Sequence, residues 1–390
     1  MTIDEIRRDT PGCLDKLFVN SAGASLVPIQ VIKSVQEYLA TESLLGGYYL
    51  SDHRTNEIDR FYEVAAELLN TKPRNIAFCH DATDAYTKAL SSIAFNDGDV
   101  ILTTDDDYVS NHLNFLALQR RVDIRVVRSN NLPNGDLDLG SFRDQILKHR
   151  PKLVSVTHIP TNSGLIQEVD EIGRTCRESG AIYLVDACQS VGQIPVDVMK
   201  IQCDFLSATG RKFLRGPRGT GLLYVGDRML HQNSHPLFVD LHGAQWTSAN
   251  SYELRDDAGR FEYWEKPYAL MFGLSEAISY ALKVGLDRIE QINADLMSHF
   301  RELLLDQKDV QLFDLGSKKA AILTFRKNGK SLNETTTFLD AHKVFYSVAR
   351  RDNALIDFDK KGIDWAIRLS PHYFNTKEEL ERVADIIRQL

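Results

Sequence analysis

The chain has 390 residues, 43% of them hydrophobic and 26% charged, with a formal net charge of −8. That balance suits a large buried core in two domains, or one domain with an appendage, and argues against a nucleic-acid surface. Five scattered cysteines (Cys13, Cys79, Cys176, Cys188, Cys203) have no paired spacing, so no metal site is expected. No apolar run is long enough to span a bilayer and the N-terminus has no apolar signal core, so the expectation is a cytoplasmic enzyme with no membrane partner.

Along the chain, short apolar runs rich in β-branched residues predict strands at 75–79, 99–103, 123–127, 152–158, 181–186, 203–207 and 221–225. Helical patterns such as 170–179 lie between several of them. Alternation of this kind predicts an α/β fold with a mainly parallel seven-stranded sheet covered on both faces. After residue 259 the character changes. Helices are expected at 267–284 and 286–305, strands at 320–325 and 365–369, and a closing helix at 377–390. The expected organisation is a large domain, 17–259, and a smaller α+β domain, 260–390, joined by residues 1–16.

The densest chemistry lies between Tyr183 and Val225. One apolar strand ends in Asp186, with Gln189 three residues on; the next ends near Thr209, Arg211 and Lys212. Ligands of parallel sheets bind beyond the carboxyl ends of the strands, and these residues fall there. An amine, an acid, a hydroxyl and a guanidinium are the groups that hold pyridoxal 5'-phosphate. Lys212 would carry the cofactor covalently and serve as the catalytic base, Asp186 would pair with the ring nitrogen, and Thr209 with Arg211 would hold phosphate. Gln189 is placed to donate to the phenolic oxygen. Each also has a plainer reading: a surface lysine in a turn, a helix cap at Asp186, a solvated turn residue at Gln189.

Other strand ends add to the set. Asp81-Ala82-Thr83 opens a helix, whose free N–H groups suit a phosphate at Ala82 and Thr83. Tyr108 follows an acidic turn and is a candidate to stack on the pyridine ring and to act as a second acid. Thr161, in a polar corner at 158–164, is a candidate contact to the phenolic oxygen. Arg368, inside an apolar run, needs an anionic partner, and a substrate carboxylate or a structural acid would serve. Gly216-Pro217-Arg218-Gly219-Thr220-Gly221 lacks the ending of a phosphate loop and precedes a strand, so it is read as a tight turn that fixes Lys212.

These motifs resemble the class V aminotransferase fold, a branch of the fold-type I pyridoxal phosphate enzymes, from Phe18-Val-Asn20-Ser-Ala-Gly23 to Arg368-Leu-Ser-Pro-His-Tyr. The resemblance implies that Thr83 and Thr209 bind phosphate, Tyr108 stacks on the ring, Thr161 touches the phenolic oxygen and Arg368 holds the substrate carboxylate. It also implies a homodimer with the active site at the interface and a small amino-acid substrate.

Desulfurases of the group usually carry His-Lys where this chain has Arg211-Lys212, and a histidine where it has Tyr108. They use a mobile cysteine in a region that here, 345–354, has none. The pattern is most similar to the isopenicillin N epimerase-like branch and its cysteine sulfoxide lyases, such as hercynylcysteine sulfoxide lyase. Gly46-Gly47-Tyr48 is also similar to that branch, so Asn20, Gly47 and Tyr48 join Arg368 as expected substrate contacts, with a helix cap as the plainer reading of 46–48. The walls 243–246 and 349–357 permit a polar or anionic side chain. The expected reaction is carbon–sulfur β-elimination from a cysteine conjugate or its sulfoxide, giving pyruvate and ammonia. Epimerisation, transamination and a non-catalytic cofactor-binding regulator stand as alternatives.

Overall fold

A computed structural model describes all 390 residues. The large sheet is built from β1 (Ile76–Cys79), β2 (Val100–Thr104), β3 (Arg125–Ser129), β4 (Leu153–Thr157), β5 (Ile182–Asp186), β6 (Phe205–Thr209) and β7 (Gly221–Val225). Their spatial order is β1-β7-β6-β5-β4-β2-β3. All pairs are parallel except those that β7 makes with β1 and β6. The expected seven strands are all present, and the largest displacements are at β3 and β6, each two residues later than the apolar pattern suggested.

Side chains alternate across a strand, and both faces of this sheet are buried. Val154, Val156, Tyr183, Val185 and Leu206 point into one apolar cluster. Leu153, Leu184, Phe205 and Leu223 point into the other. Burial on both sides explains why these strands read as near-continuous apolar runs.

An exposed hairpin follows, β8 (Ala244–Ser248) and β9 (Ser251–Leu254). A second sheet is antiparallel, with β10 (Val310–Leu312), β11 (Leu323–Lys327), β12 (Ser347–Arg350) and β13 (Trp365–Leu369) in the order β10-β11-β13-β12. Helix Tyr268–Val284, expected with this second sheet, packs instead against helices Ile29–Leu45 and Thr55–Leu69. Within residues 1–16, Arg7 reaches the second sheet's side, donating to the Phe374 carbonyl and pairing with Glu379, both at 2.8 Å, and residues 17–21, expected in the large domain, lie there too. Leu17–Phe18 pairs in parallel with Val344–Phe345, and Ser21 N–H donates to the Ser370 carbonyl at 2.9 Å.

The two sheets meet through charge as well as apolar contact. Lys360 pairs with Asp105 at 2.5 Å, and Lys361 with Asp357 at 2.8 Å, in the short helix Leu355–Lys361. Asp106 is buried between them and accepts the Ser163 hydroxyl at 2.5 Å. Burial, then the nearby Asp357 carboxylate, push Asp106 up to about 7, with Lys361 and Ser163 opposing and Asp107 adding to the rise. Folded Asp106 therefore holds its proton more tightly than in the unfolded chain, and its contribution to stability falls as pH rises from 3.8 to about 7. Asp106→Asn keeps an acceptor for Ser163 and removes the ionisation. Urea unfolding should find the variant gaining about 1–3 kcal/mol on the parent chain between pH 5 and pH 8. A constant difference across that range would refute the assignment.

Candidate active site

Loops after β1, β2, β4, β5 and β6 converge at one edge of the large sheet, and β13 approaches from the second sheet. Lys212 lies three residues beyond the end of β6 and is only 8% exposed. Its Nζ stands 5.9 Å from the centroid of the Tyr108 ring. Burial lowers its affinity for a proton, with Cys188 and Asp186 opposing that shift. The turn holding it is tight, as expected: Gly216 N–H donates to the Gly210 carbonyl at 2.7 Å, and Gly210 N–H to the Thr220 carbonyl at 2.9 Å. His372 is buried, which pushes its proton affinity well down, and its Nε2 is 2.8 Å from the Phe213 carbonyl beside Lys212.

Asp186 ends β5 and is 4% exposed. One oxygen accepts the Cys188 N–H at 3.0 Å and the other the Asn111 amide at 3.2 Å. Burial raises its proton affinity, and the Lys212 charge opposes the rise. Tyr108 caps helix Val109–Gln119, with its ring on the Lys212 side.

Thr161 joins two candidate groups. Its hydroxyl oxygen accepts from Arg368 Nη1 at 2.5 Å and from Gln189 Nε2 at 2.8 Å, which leaves its own proton free to donate elsewhere. Arg368 is half-buried in β13, opposite Thr324 and Ser347. Burial, and then the Arg211 charge, push it down to about 10, and no carboxylate pairs with it. Its Nε and the Gln189 Oε1 are both buried without a hydrogen-bond partner. A structural salt bridge, the plainer reading of Arg368, is absent. Arg211 donates to the Gly23 carbonyl and also faces the cleft.

At the far side, Asp81 caps helix Ala82–Ser91 by accepting the Asp84 N–H at 2.9 Å. The N–H groups of Ala82 and Thr83 precede the first helical acceptors and are free for an anion. A side chain at Gly221 would come within 2.7 Å of the Asp81 carbonyl carbon, so glycine there lets the helix start press against β7. Thr209 ends β6 on the same cleft.

Together these residues line a cavity of about 320 Å³. A second cavity of about 440 Å³ shares Tyr108, Thr161, Arg211, Lys212 and Arg218 with it and adds Asn20, Ser347 and Arg368. The donor set fits pyridoxal 5'-phosphate: unpartnered Gln189 and Arg368 atoms, a helix start pressed close by a glycine, and a buried lysine opposite a buried acid. Gly47 and Tyr48 are not brought there. They line neither cavity, and Tyr48 is 80% exposed on helix Gly47–His53, so their expected substrate contacts are absent within the chain. Asp107, Asn111, Thr157 and Cys188 were not anticipated. Asn111 sits one turn after Tyr108, on the same helical face, which is the signal that points to it.

A family model for class V aminotransferases matches residues 17–383. A protein of Methanothermobacter thermautotrophicus named probable cysteine desulfurase is 27% identical over 397 residues, covering 100% of this chain and 98% of that one. The apo cysteine desulfurase of Thermococcus onnurineus NA1 superposes with a TM-score of 0.92 at 27% identity, covering 100% of this chain and 98% of that chain. A C-DES mutant with glycine covalently linked to its pyridoxal phosphate gives a TM-score of 0.87 at 20% identity over 98% of this chain and 99% of its own, a likeness of fold. These similarities overturn the expected placement in an epimerase-like or sulfoxide-lyase branch. They overturn with it the expected β-elimination from cysteine conjugates and the epimerase and aminotransferase alternatives.

One backbone contact supports the lysine turn from beneath. Gly192 has φ +93°, and a side chain there would lie 2.4 Å from the Leu214 nitrogen, two residues from Lys212. Gly192→Ala should cost about 1–3 kcal/mol in denaturant unfolding and weaken cofactor retention on gel filtration. Unchanged stability would show that the turn has room to shift.

Proposed function

This chain belongs to the class V aminotransferase family, whose cofactor is pyridoxal 5'-phosphate, and on that premise we propose that it acts on L-cysteine as a desulfurase. The observation that carries the reading is one cleft holding a buried lysine, a buried acid and a carboxylate-free arginine, in a chain similar to cysteine desulfurases over its whole length. When bound, the cofactor supplies an electron sink for negative charge at the substrate's α-carbon. Lys212 carries the cofactor and exchanges the α-proton, its lowered proton affinity suiting a base. Asp186 holds the ring nitrogen, and Tyr108 covers the ring face. Ala82, Thr83, Thr209 and Arg211 hold phosphate. Gln189 and the Thr161 hydroxyl reach the phenolic oxygen, and Arg368 grips the substrate carboxylate, with Asn20 beside it on the second cavity.

Sulfur leaves to a thiol outside the chain: cysteine and a thiol give alanine and a persulfide. Four of the cysteines are buried away from the cleft. The fifth, Cys188, sits on the cavity floor next to Asp186, where burial pushes its thiol far up and thiolate attack is disfavoured. All five cysteines are free, which supports a reducing, cytoplasmic setting; no single helix is long and apolar enough to cross a membrane.

A second copy of the chain is the proposed partner. Leu237, Phe238, Leu241, Trp246, Tyr252 and Trp264 cluster in and around the β8–β9 hairpin and are all more than half exposed, more apolar surface than a monomer usually shows in one segment. Sedimentation should give a dimer that Trp246→Glu weakens; a monomeric parent chain would remove the proposal.

The activity is tested by supplying L-cysteine to the cofactor-loaded protein with and without dithiothreitol. Alanine should form in step with sulfide, faster as the thiol is raised, and Lys212→Ala should lower the rate by roughly 10²–10⁴-fold. Arg368→Ala should raise KM for cysteine by about 30-fold or more, the scale of losing one partner of a buried charge pair, while cofactor affinity changes little. Pyruvate in place of alanine would reject the desulfurase reading. An unchanged KM would make Arg368 structural.

A further inference from the structure

Asp107, within a run that reads as a simple acidic turn, is a buried carboxylate met by four donors. It accepts the Thr103 hydroxyl at 2.8 Å, the Thr157 hydroxyl, the Asn111 amide at 2.9 Å and the Tyr108 N–H at 2.7 Å. Those bonds offset the cost of burying its charge. Asn111 is itself buried, and the same amide nitrogen reaches Asp186 Oδ2 at 3.2 Å. Both neighbours are carboxylates, which accept only, so Asn111 must turn its NH2 toward them. Thr157 lies directly opposite Asp186 in the β4–β5 register. Its hydroxyl therefore fastens Asp107 to the strand beside the acid.

We propose that Asp107 and Asn111 are a positioning pair that locks Asp186, the partner of the cofactor's ring nitrogen, to Tyr108, the residue that covers the ring face. The inference rests on the reading of Asp186 given above. An aspartate free to turn about its last bond points its oxygens over a wide arc. With the Cys188 N–H on one oxygen and Asn111 on the other, the carboxylate plane of Asp186 is set. The Tyr108 backbone is tied to the same Asp107 oxygen that holds Asn111, so the plane of the acid and the start of the stacking helix move as one unit. The Asp107 charge also deepens the negative field that favours a protonated ring nitrogen. Neither residue touches the ring in this scheme; both act through Asp186 and Tyr108.

The test uses the cofactor-loaded chain with the ring nitrogen of pyridoxal phosphate labelled with ¹⁵N. Asn111→Ala should move the nitrogen resonance toward the unprotonated form, reduce the visible circular dichroism of the bound cofactor and raise its Kd by about tenfold, the scale of one hydrogen bond to a charged group. Thr103→Val, which removes a donor from Asp107 on the strand outside the cleft, should move all three in the same direction by less. It serves alone if Asn111→Ala does not fold. Asp186→Asn is the control. If it shifts the nitrogen resonance while Asn111→Ala and Thr103→Val leave resonance, dichroism and Kd unchanged, the positioning pair is wrong and Asp186 stands. If Asp186→Asn leaves the resonance unmoved, the ring-nitrogen assignment fails and the positioning proposal falls with it.

Discussion

Charge has to be buried at the carboxyl edge of the large sheet, and much of the molecule answers that need. Asp107, Asp186 and Lys212 lose water there and Arg368 loses part of it, and a buried charge without partners is costly. Asp107 and Asp186 are met by backbone and side-chain donors. Lys212 and Arg368 are met less fully, and burial lowers the proton affinity of both. The asymmetry has a chemical meaning. The acids are finished by the protein, whereas on the proposed reading the cations would be completed by a ligand that brings an aldehyde and anionic groups. A cofactor with a phosphate and a substrate with a carboxylate would supply what the cations lack.

The topology makes that arrangement possible. Four adjacent parallel pairings bring the ends of β2, β4, β5 and β6 to one edge, and β1, antiparallel to β7, points the same way. Each strand end can then be polar without interrupting the apolar faces behind it. This much was legible in the amino-acid order, because a strand buried on both faces must be apolar almost throughout and must change character where it leaves the core. The runs at Gly221–Val225 and Trp365–Leu369 and the helix Leu286–Leu305 have the bounds their patterns suggest. The strand Ser347–Arg350 and the β8–β9 hairpin were not visible. They face solvent or sit at a sheet edge, and their polar composition resembles that of loops.

The site divides in the same way. Asp186, Thr209 and Lys212 stand out in the sequence as a set at strand ends, and the structure brings that set to one cleft. Asn111 is signalled only by its spacing from Tyr108 and Asp107 by nothing local, since each matters through a partner far away in the chain: Asp186 is 75 positions from Asn111, and Thr157 is 50 from Asp107. Nothing local in an acidic turn reveals that one of its three carboxylates is buried under four donors. Gly47 and Tyr48 are the opposite case within one chain. A glycine pair followed by aromatics has a local look of design, but their side of the helix faces solvent rather than the cleft.

The branch within the family is hard to read from the site for a related reason. Arg211 and Tyr108 stand where desulfurases of the group usually carry histidine, and neither difference marks a different chemistry. On the proposed reading both positions would ask only for general properties, a donor near a phosphate or a flat surface over a pyridine ring, and several side chains supply either. They discriminate poorly between reactions. Similarity carried across 100% of the chain weighs all the packing that sets the cleft's shape, and it points to desulfurases. The missing cysteine is different in kind, because sulfur transfer needs a thiolate at the attacked atom and no other side chain replaces it. On the proposed reading that requirement passes to a diffusible thiol. It needs a way in that the bound cofactor does not block, and the second cavity, which meets the first at Tyr108, Arg211 and Lys212, lies on the substrate side of the lysine, where such a thiol would have to arrive.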